Sequence, residues 1–269
     1  MLDNKFGIIL DEGPIARCLI ETAKRQSFRF NEIIYLGKKN ILPKNFYINF
    51  NIKFVNSKPL KFLKIKELKK FINEVENYFE LGNNFFKDAY ANINFKNETK
   101  SFHYIGNKNI NSIELFNIIN NSKSCFFFNT GKQIIKKLFQ SEKKFFHIHP
   151  GILPEIKGAD SSLWNIKKKN CFGGSLFIMN EKIDEGDIIY KTDIKLKKFN
   201  IPYEKFSDEL YDIWFSFIDP AIRSYVFKKS IEYKRFDKIS TSSNNGGEYF
   251  SFMDINLREE ILKDILTKI

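Results

Sequence analysis

The first forty residues alternate between short apolar runs and a helical pattern of apolar positions. Phe6–Leu10 is an apolar run, 11–14 is a turn, Ile15–Gln26 carries apolar residues at helical spacing, and Glu32–Leu36 is a second apolar run. A strand, a helix and a strand in this order predict a βαβ unit, which favours a parallel sheet covered by helices. The turn lacks G-x-G-x-x-G, so it does not indicate a dinucleotide site.

The same alternation continues to about residue 200, apart from an irregular stretch at 41–66 in which Phe46–Val55 could form one or two strands. We therefore predict an α/β fold, with a Rossmann-like open, mostly parallel twisted sheet and helices on both faces. The predicted helices are Glu67–Leu81, Asn83–Ala91, Ile110–Asn120 and Lys132–Gln140, and the predicted strands are Ser101–Ile105, Ser124–Asn129, Lys144–His149, Gly173–Asn180 and Asp187–Lys195.

The pattern changes at about Asn200. Tyr203–Lys229 predicts one long amphipathic helix with a kink at Pro220, 240–247 is a polar loop, and Glu259–Ile269 predicts a terminal helix. We therefore expect a main α/β domain at residues 1–199 and a short, mainly helical appendage at 200–269. The appendage would pack on the sheet or carry a subunit contact, which leaves a homodimer open.

Composition narrows the class of protein. Of the 269 residues 43% are hydrophobic, which is typical of a folded globular chain, yet no run reaches the 18 apolar residues of a membrane span. No signal peptide is recognisable, and three widely spaced cysteines favour a reducing, cytoplasmic setting. The net charge of +12 could attract nucleic acid or membranes, but lysine is spread evenly with Asn, Ile and Phe. We interpret most of this charge as a solvated surface.

The candidate chemistry lies where two predicted strands end. His147 and His149, two of only three histidines, end the Lys144–His149 strand, and Asn129-Thr130-Gly131 follows the preceding strand. Ligands of open parallel sheets bind beyond the carboxyl ends of the strands. Imidazole is also the side chain whose ordinary pKa suits proton transfer near neutrality. We therefore expect both segments to line one crevice.

Four short motifs follow one another between Ser124 and Lys195. They are His149-Pro150-Gly151-Ile152-Leu153-Pro154, Lys157-Gly158-Ala159, Gly173-Gly174 and Ile183-Asp184-Glu185-Gly186-Asp187. In order and spacing this segment resembles the core of the formyltransferases that use 10-formyltetrahydrofolate. That family includes glycinamide ribonucleotide, methionyl-tRNA and sugar N-formyltransferases, and typically shows Asn-x-His-Pro-Ser-Leu-Leu-Pro, Arg-Gly-Ala and Leu-Asp-x-Gly-Asp.

The resemblance implies transfer of a formyl group from 10-formyltetrahydrofolate to an amine, without a metal. His149 would stabilise the oxyanion of the tetrahedral intermediate and help to move protons. Asp184 would hold the imidazole in a useful ionisation state and accept the amine proton, directly or through water. His147 departs from the family, which has asparagine there. We expect its ring to donate to the formyl oxygen in place of the amide, although a lost or different activity is the alternative.

The resemblance also predicts the ligand contacts. Folate recognition in the family relies largely on backbone groups, so side-chain identity carries little weight there. The predicted folate-binding residues are Asn129, Thr130, Gly131, Ile134, Asn180 and Ile183, and the predicted substrate-binding residues are Asp11, Glu12, Gly13, Lys157 and Asp160. For the Asp11 turn and for the residues around Lys157, a solvated loop is the competing interpretation.

The acceptor is reached by elimination. The family's tRNA-formylating enzymes carry a C-terminal β-barrel, which the helical tail here does not predict, so nucleic acid is not expected. The acidic turn at Asp11-Glu12 disfavours the phosphate of glycinamide ribonucleotide. A small-molecule amine remains, an amino sugar or nucleotide-linked amino sugar. Trp214, Tyr249 and Phe250 could offer stacking surfaces in the tail, although we expect core packing for them.

Two interpretations from other classes stay open. A non-catalytic relative would bind folate without turning it over. A metal-dependent hydrolase would use His147 and His149 as a metal pair, but such sites usually need three or more ligands, and the remaining histidine is His103. Carboxylates such as Asp184 would have to complete that site.

Overall fold

The computed structural model describes residues 5–37, 51–52 and 57–267. The strands are β1 (Phe6–Asp11), β2 (Phe30–Leu36), β3 (Asn51–Ile52), β4 (Ile93–Asn94), β5 (Thr99–Ile105), β6 (Phe126–Asn129), β7 (Lys144–His149), β8 (Ile156–Gly158), β9 (Cys171–Ile178), β10 (Ile188–Lys195) and β11 (Glu248–Phe250). The helices are α1 (Pro14–Arg25), α2 (Ser57–Lys64), α3 (Lys69–Tyr78), α4 (Phe85–Ala89), α5 (Phe95–Glu98), α6 (Ile113–Asn121), α7 (Ser161–Lys169), α8 (Tyr203–Phe206), α9 (Leu210–Ile213), α10 (Asp219–Glu232) and α11 (Ile255–Leu266).

Seven strands form one open sheet in the order β10-β9-β7-β6-β1-β2-β5. The five strands from β7 to β5 run parallel, whereas β9 and β10 are antiparallel to their neighbours. The predicted α/β class with a mostly parallel Rossmann-like sheet is confirmed. The strand order reverses between β1 and β6, and this is the position where open α/β sheets bind ligands.

Apolar side chains cover both faces of the sheet because the central strands are apolar at successive positions. Ile8 and Leu10 of β1 pack with α1 and with Val226 and Phe227 of α10, whereas Ile9 packs with α6 on the opposite face. This two-sided burial explains why the strands read as continuous apolar runs in the sequence. Helices lie on both faces, as predicted.

The prediction of one helix over Tyr203–Lys229 holds only in part, because the segment is helical but not a single regular α-helix. The chain forms α8, a 3-10 turn at Ser207–Glu209, α9, a π-helical turn at Trp214–Ile218 and then α10. Pro220 has no N–H to donate to the carbonyl of Ser216 one turn earlier. The hydroxyl of Tyr90 donates to that carbonyl instead. Nor is α10 amphipathic, because residues on several of its sides are buried, among them Ala221, Ile222, Ser224, Val226 and Phe227.

The predicted helix over Lys132–Gln140 is also wrong, since only Lys137–Gln140 forms a 3-10 turn. Asn111 holds the preceding loop in another conformation. Its side-chain oxygen accepts from the backbone N–H groups of Lys136 and Lys137, and its amide nitrogen donates to the carbonyl of Ile134. These bonds satisfy backbone groups that would otherwise have joined a helix.

Other differences are local. The possible strands over Phe46–Val55 lie outside the described residues except for β3, and α2 lies in the stretch interpreted as irregular. Sequence analysis also did not identify β8, α7 or β11. Residues from both sides of residue 199 pack in the same hydrophobic clusters. The division of the chain there into a main domain and an appendage therefore stays a prediction. Across the described ranges, no helix is both long and apolar enough to span a bilayer.

Candidate active site

A cavity of about 580 Å³ opens at the carboxyl ends of β6 and β7. Strands, loops and α10 all contribute to its lining. Its lining includes Thr130, His147, His149, Asp184, Arg223 and Tyr249. The structure therefore brings together the three side chains that the sequence predicts as catalytic, at the edge of the sheet where they were expected.

His149 is 4% exposed and ends β7. Its Nε2 lies 3.2 Å from the carbonyl oxygen of Ile156. A carbonyl can only accept, so Nε2 carries the proton, and Nδ1 of the neutral ring presents a lone pair. Gly151 leaves room for this contact, since a Cβ there would lie 2.5 Å from His149 Nε2.

Asp184 faces the other nitrogen of the same ring. Its Oδ2 lies 3.6 Å from His149 Nδ1, which is too long for a hydrogen bond, and accepts from the backbone N–H of Gly158 at 3.0 Å. Asn244 holds the Asp184 loop by donating its side-chain amide to the carbonyls of Asp184 and Gly186. The carboxylate is thus positioned to stabilise a proton that Nδ1 takes up.

His147 is held in a different way. Its Nδ1 lies 2.9 Å from the carbonyl oxygen of Asn129, so Nδ1 carries the proton. Its Nε2 lies 3.4 Å from Nη1 of Arg223, a group that can only donate. The guanidinium also donates to the carbonyl of Ile148 and, through Nε at 2.9 Å, to Oδ1 of Asp219.

Both histidines are neutral at pH 7. Burial lowers the pKa of His147 to about 4, with a further contribution from the Arg223 charge. Burial also lowers the pKa of His149, outweighing the opposing effect of Asp184. A neutral His149 can accept a proton, which is what a general base requires.

The predicted folate-binding residues line the cavity, with one exception. Thr130, Gly131, Ile134, Asn180 and Ile183 line it. Asn129 lies behind the lining and holds the turn, because its Oδ1 accepts from the N–H of Gly131 at 3.0 Å. Ile134 and Ile183 are 49% and 43% exposed, so the cavity lining offers apolar surface to a ligand.

The predicted substrate-binding turn lies beside this cavity. Asp11, Glu12 and Gly13 line a neighbouring one of about 270 Å³ that shares Thr130 with it. The Asp11 carboxylate is 2.8 Å from Lys108 Nζ, and the Glu12 carboxylate is 2.7 Å from Arg17 Nε. Each acid therefore already has a basic partner.

Lys157 and Asp160 hold the chain around the site. Lys157 is 5% exposed, and its Nζ lies 3.4 Å from the carbonyl of Asn244, behind the Asp184 loop and outside the cavity lining. Asp160 lines the cavity, but its two oxygens accept from the hydroxyl of Tyr211 and the N–H of Met253. Substrate contact stays a prediction for both residues.

Sequence analysis missed several residues of the cavity. Arg223 and Asp219 form an i,i+4 ion pair within an apolar stretch, and such a pair was the available signal, since buried charges are rarely without a function or partner. Of the tail aromatics, Trp214 and Phe250 are buried as expected. Tyr249 is not, since it is 59% exposed and lines the cavity together with Phe252.

The surroundings of the two histidines do not favour a metal. Within the part of the chain that the structure describes, no group of three or more His, Cys, Asp and Glu side chains could hold an ion. His147 Nε2 also faces a guanidinium, whose positive charge would repel a cation.

Comparison with known proteins gives the fold a context. No family model and no curated protein matches the chain. Among solved structures, a sugar N-formyltransferase from a Shewanella species is 15% identical with a TM-score of 0.51, covering 96% of this chain and 85% of that one. The N-formyltransferase from Helicobacter canadensis, solved with folinic acid and dTDP-3-aminofucose, is 16% identical with a TM-score of 0.51, covering 98% and 84%. The chain therefore has the fold of these formyltransferases.

Proposed function

We propose that this protein transfers a formyl group from 10-formyltetrahydrofolate to the primary amine of an amino sugar. The observation that carries this proposal is the pair formed by a buried, neutral His149 and the Asp184 carboxylate 3.6 Å from its Nδ1, at a ligand-binding edge of a formyltransferase fold. No side-chain chemistry beyond that of a base and oxyanion donors is required.

The residues would act in the following order. The amine attacks the formyl carbon, and the C=O electrons move to oxygen to give a tetrahedral intermediate. His149 takes the amine proton at Nδ1, and Asp184 stabilises the imidazolium that forms. When the C–N bond to the folate breaks, the folate nitrogen receives that proton. The site is thereby restored without a metal.

The folate would contact the part of the cavity lining formed by Thr130, Gly131, Ile134, Asn180 and Ile183. The exposed apolar side chains of Ile134 and Ile183 suit a flat aromatic ring system, and the turn at Gly131 suits recognition through backbone groups. The acceptor would approach from the neighbouring cavity at Asp11–Gly13. We favour a nucleotide-linked amino sugar, because the Helicobacter canadensis protein with this fold was solved with dTDP-3-aminofucose.

The first test is the thermal stability of the purified full chain with folinic acid, a stable formylated folate. A ligand that binds only the folded state adds about 2.7 kcal/mol at a hundredfold excess over its Kd. We expect an upward shift with folinic acid and none with p-aminobenzoylglutamate, which lacks the pterin.

The second test is turnover with a panel of dTDP-linked and UDP-linked amino sugars, detected as the mass that one formyl group adds to the sugar. Formylation of a member of this panel supports the proposal. Folinic acid binding without formylation of any amine would favour a non-catalytic folate-binding relative. Absence of both binding and turnover would reject the proposed function.

A further inference from the structure

His147 is a hydrogen-bond acceptor toward the cavity. Its one ring proton is on Nδ1, because Nδ1 lies 2.9 Å from the Asn129 carbonyl. Its Nε2 is therefore a lone pair, and Nη1 of Arg223 approaches it at 3.4 Å. A lone pair repels an oxyanion, so the ring cannot take the place of the amide donor that the resemblance predicts there.

Arg223 has donors to spare at the same position. Its Nε is bonded to Asp219, and its Nη1 to Ile148 and His147. Its Nη2 has no hydrogen-bond partner among residues 5–37, 51–52 and 57–267, and the side chain lines the cavity. A guanidinium is always charged at neutral pH and donates more strongly than a neutral amide.

The arginine is also held in place. Asp219 is 1% exposed and the Arg223 side chain 11% exposed, so the pair lies largely out of water. Both come from α10, a helix buried against the sheet and α1. Three hydrogen-bonding groups, the carboxylate of Asp219 on α10 and the ring of His147 and carbonyl of Ile148 on β7, therefore fix the plane of the guanidinium before any ligand arrives, which is the arrangement that favours stabilisation of developing charge.

We infer that Arg223 donates to the formyl oxygen and stabilises the oxyanion, and that His147 is a positioning residue that holds Arg223. This inference rests on the proposed function. As the amine nitrogen bonds to the formyl carbon, the C=O electron pair moves to oxygen, which the guanidinium meets through Nη2. His149 keeps its separate task of accepting the amine proton and passing it to the leaving folate nitrogen.

The kinetic test compares Arg223→Met with His147→Leu, on an acceptor that the panel of amino sugars identifies. Loss of one oxyanion donor typically lowers kcat by about 10²–10³, and we expect this for Arg223→Met. His147→Leu removes one of the bonds that hold Arg223 and should lower kcat about tenfold or less. Since the donor acts on the developing charge, the Kd for folinic acid should stay within about threefold in both.

Two further variants support the comparison. Arg223→Lys keeps a positive charge beside Asp219, so we expect it to fold even if the methionine variant does not. Its kcat should still fall by about tenfold or more, because the two-pronged donor geometry of the guanidinium is lost. Arg235→Met is the matched control, since Arg235 is exposed and does not line the cavity. A His147→Leu loss larger than that of both Arg223 variants would overturn the inference.

A spectroscopic readout does not depend on turnover. In ¹⁵N spectra of the histidine rings, assigned through His147→Leu, we expect His147 to carry its proton on Nδ1. A proton on Nε2 would show that the ring can donate and would overturn the inference. A wild-type protein that formylates no amine would instead reject the proposed function, and this inference with it.

Discussion

The carboxyl ends of β7 and β1 place polar side chains beside neighbouring cavities, but they hold them in opposite ways. At β7, backbone carbonyls fix the protonated nitrogens of His147 and His149, which leaves the other nitrogen of each ring toward Arg223 or Asp184. At β1, Asp11 and Glu12 are each paired with a base. A histidine that binds a backbone carbonyl through one ring nitrogen keeps the other nitrogen available, whereas a carboxylate in an ion pair is already bound to a base. We therefore expect changes at β7 to affect turnover and changes at β1 to affect stability.

The largest effect should follow from removing the base or its carboxylate. A general base contributes about 10²–10⁴ to the rate, so His149→Gln should lower kcat about 10³-fold, and Asp184→Asn by about 10²-fold or more. Folding, measured by the urea midpoint, should change little. His103→Gln is the matched control, because His103 lies on β5, away from the cavity. Wild-type turnover in His149→Gln would contradict the mechanism.

Breaking the buried pair at β1 should come next. The Glu12 and Arg17 side chains are only 10% and 1% exposed, and loss of one member of a buried pair costs about 3–5 kcal/mol. Since an amide still accepts a hydrogen bond, we expect Glu12→Gln to lower the free energy of unfolding by about 3 kcal/mol, measured in urea. Unchanged stability with a raised KM for the acceptor would instead favour the predicted substrate contact of Glu12.

The pH dependence of stability should identify the β7 end. His147 has an ordinary pKa of 6.5 and one of about 4 when folded, so the unfolded chain binds a proton that the folded chain does not between these values. The free energy of unfolding is therefore unaffected by this group above pH 6.5. It falls by about 1–3 kcal/mol as the pH is lowered toward 4, because protonation favours the unfolded chain. In urea unfolding across this range, His147→Asn should flatten the loss. Curves parallel to those of the wild type would show that His147 keeps its ordinary pKa.

The smallest effect should come from the exposed pair at β1. The Asp11 and Lys108 side chains are 25% and 39% exposed, and such pairs contribute about 1 kcal/mol or less. We expect Asp11→Asn and Lys108→Met each to lower the free energy of unfolding by less than that, with the difference shrinking in high salt. A larger, salt-independent cost would mean that Asp11 has a role beyond this pair.

Most of the sheet could be predicted because its strands are buried on both faces and so appear as apolar runs. The histidine and Asp184 positions could be predicted because a compact motif carries them over fewer than 40 residues. The Lys132–Gln140 helix could not be corrected from the sequence, since the bonds from Asn111 that replace it come from another element.

Arg223 was missed for a similar reason. It meets His147 from a position 76 residues away, and it lies in the segment that sequence analysis assigned to an appendage. A local sequence pattern identifies functional side chains whose partners lie nearby in the sequence. It does not identify a partner that arrives through packing of a distant helix, although a charged pair in an apolar helix is a signal to examine.

The burial of α10 against the sheet also has a consequence for the chain during its synthesis. A chain leaving the ribosome presents β1, β6 and β7 before α10, so Ile8, Leu10 and Phe128 emerge without Val226 and Phe227, which pack with them in the finished fold. Until then one face of the sheet is open, and the carbonyl of Ile148 lacks its arginine donor. Nascent chains that expose apolar strands in this way are prone to association. Chaperones therefore protect the nascent chain most usefully after His149 has been synthesised and before Phe227 has followed.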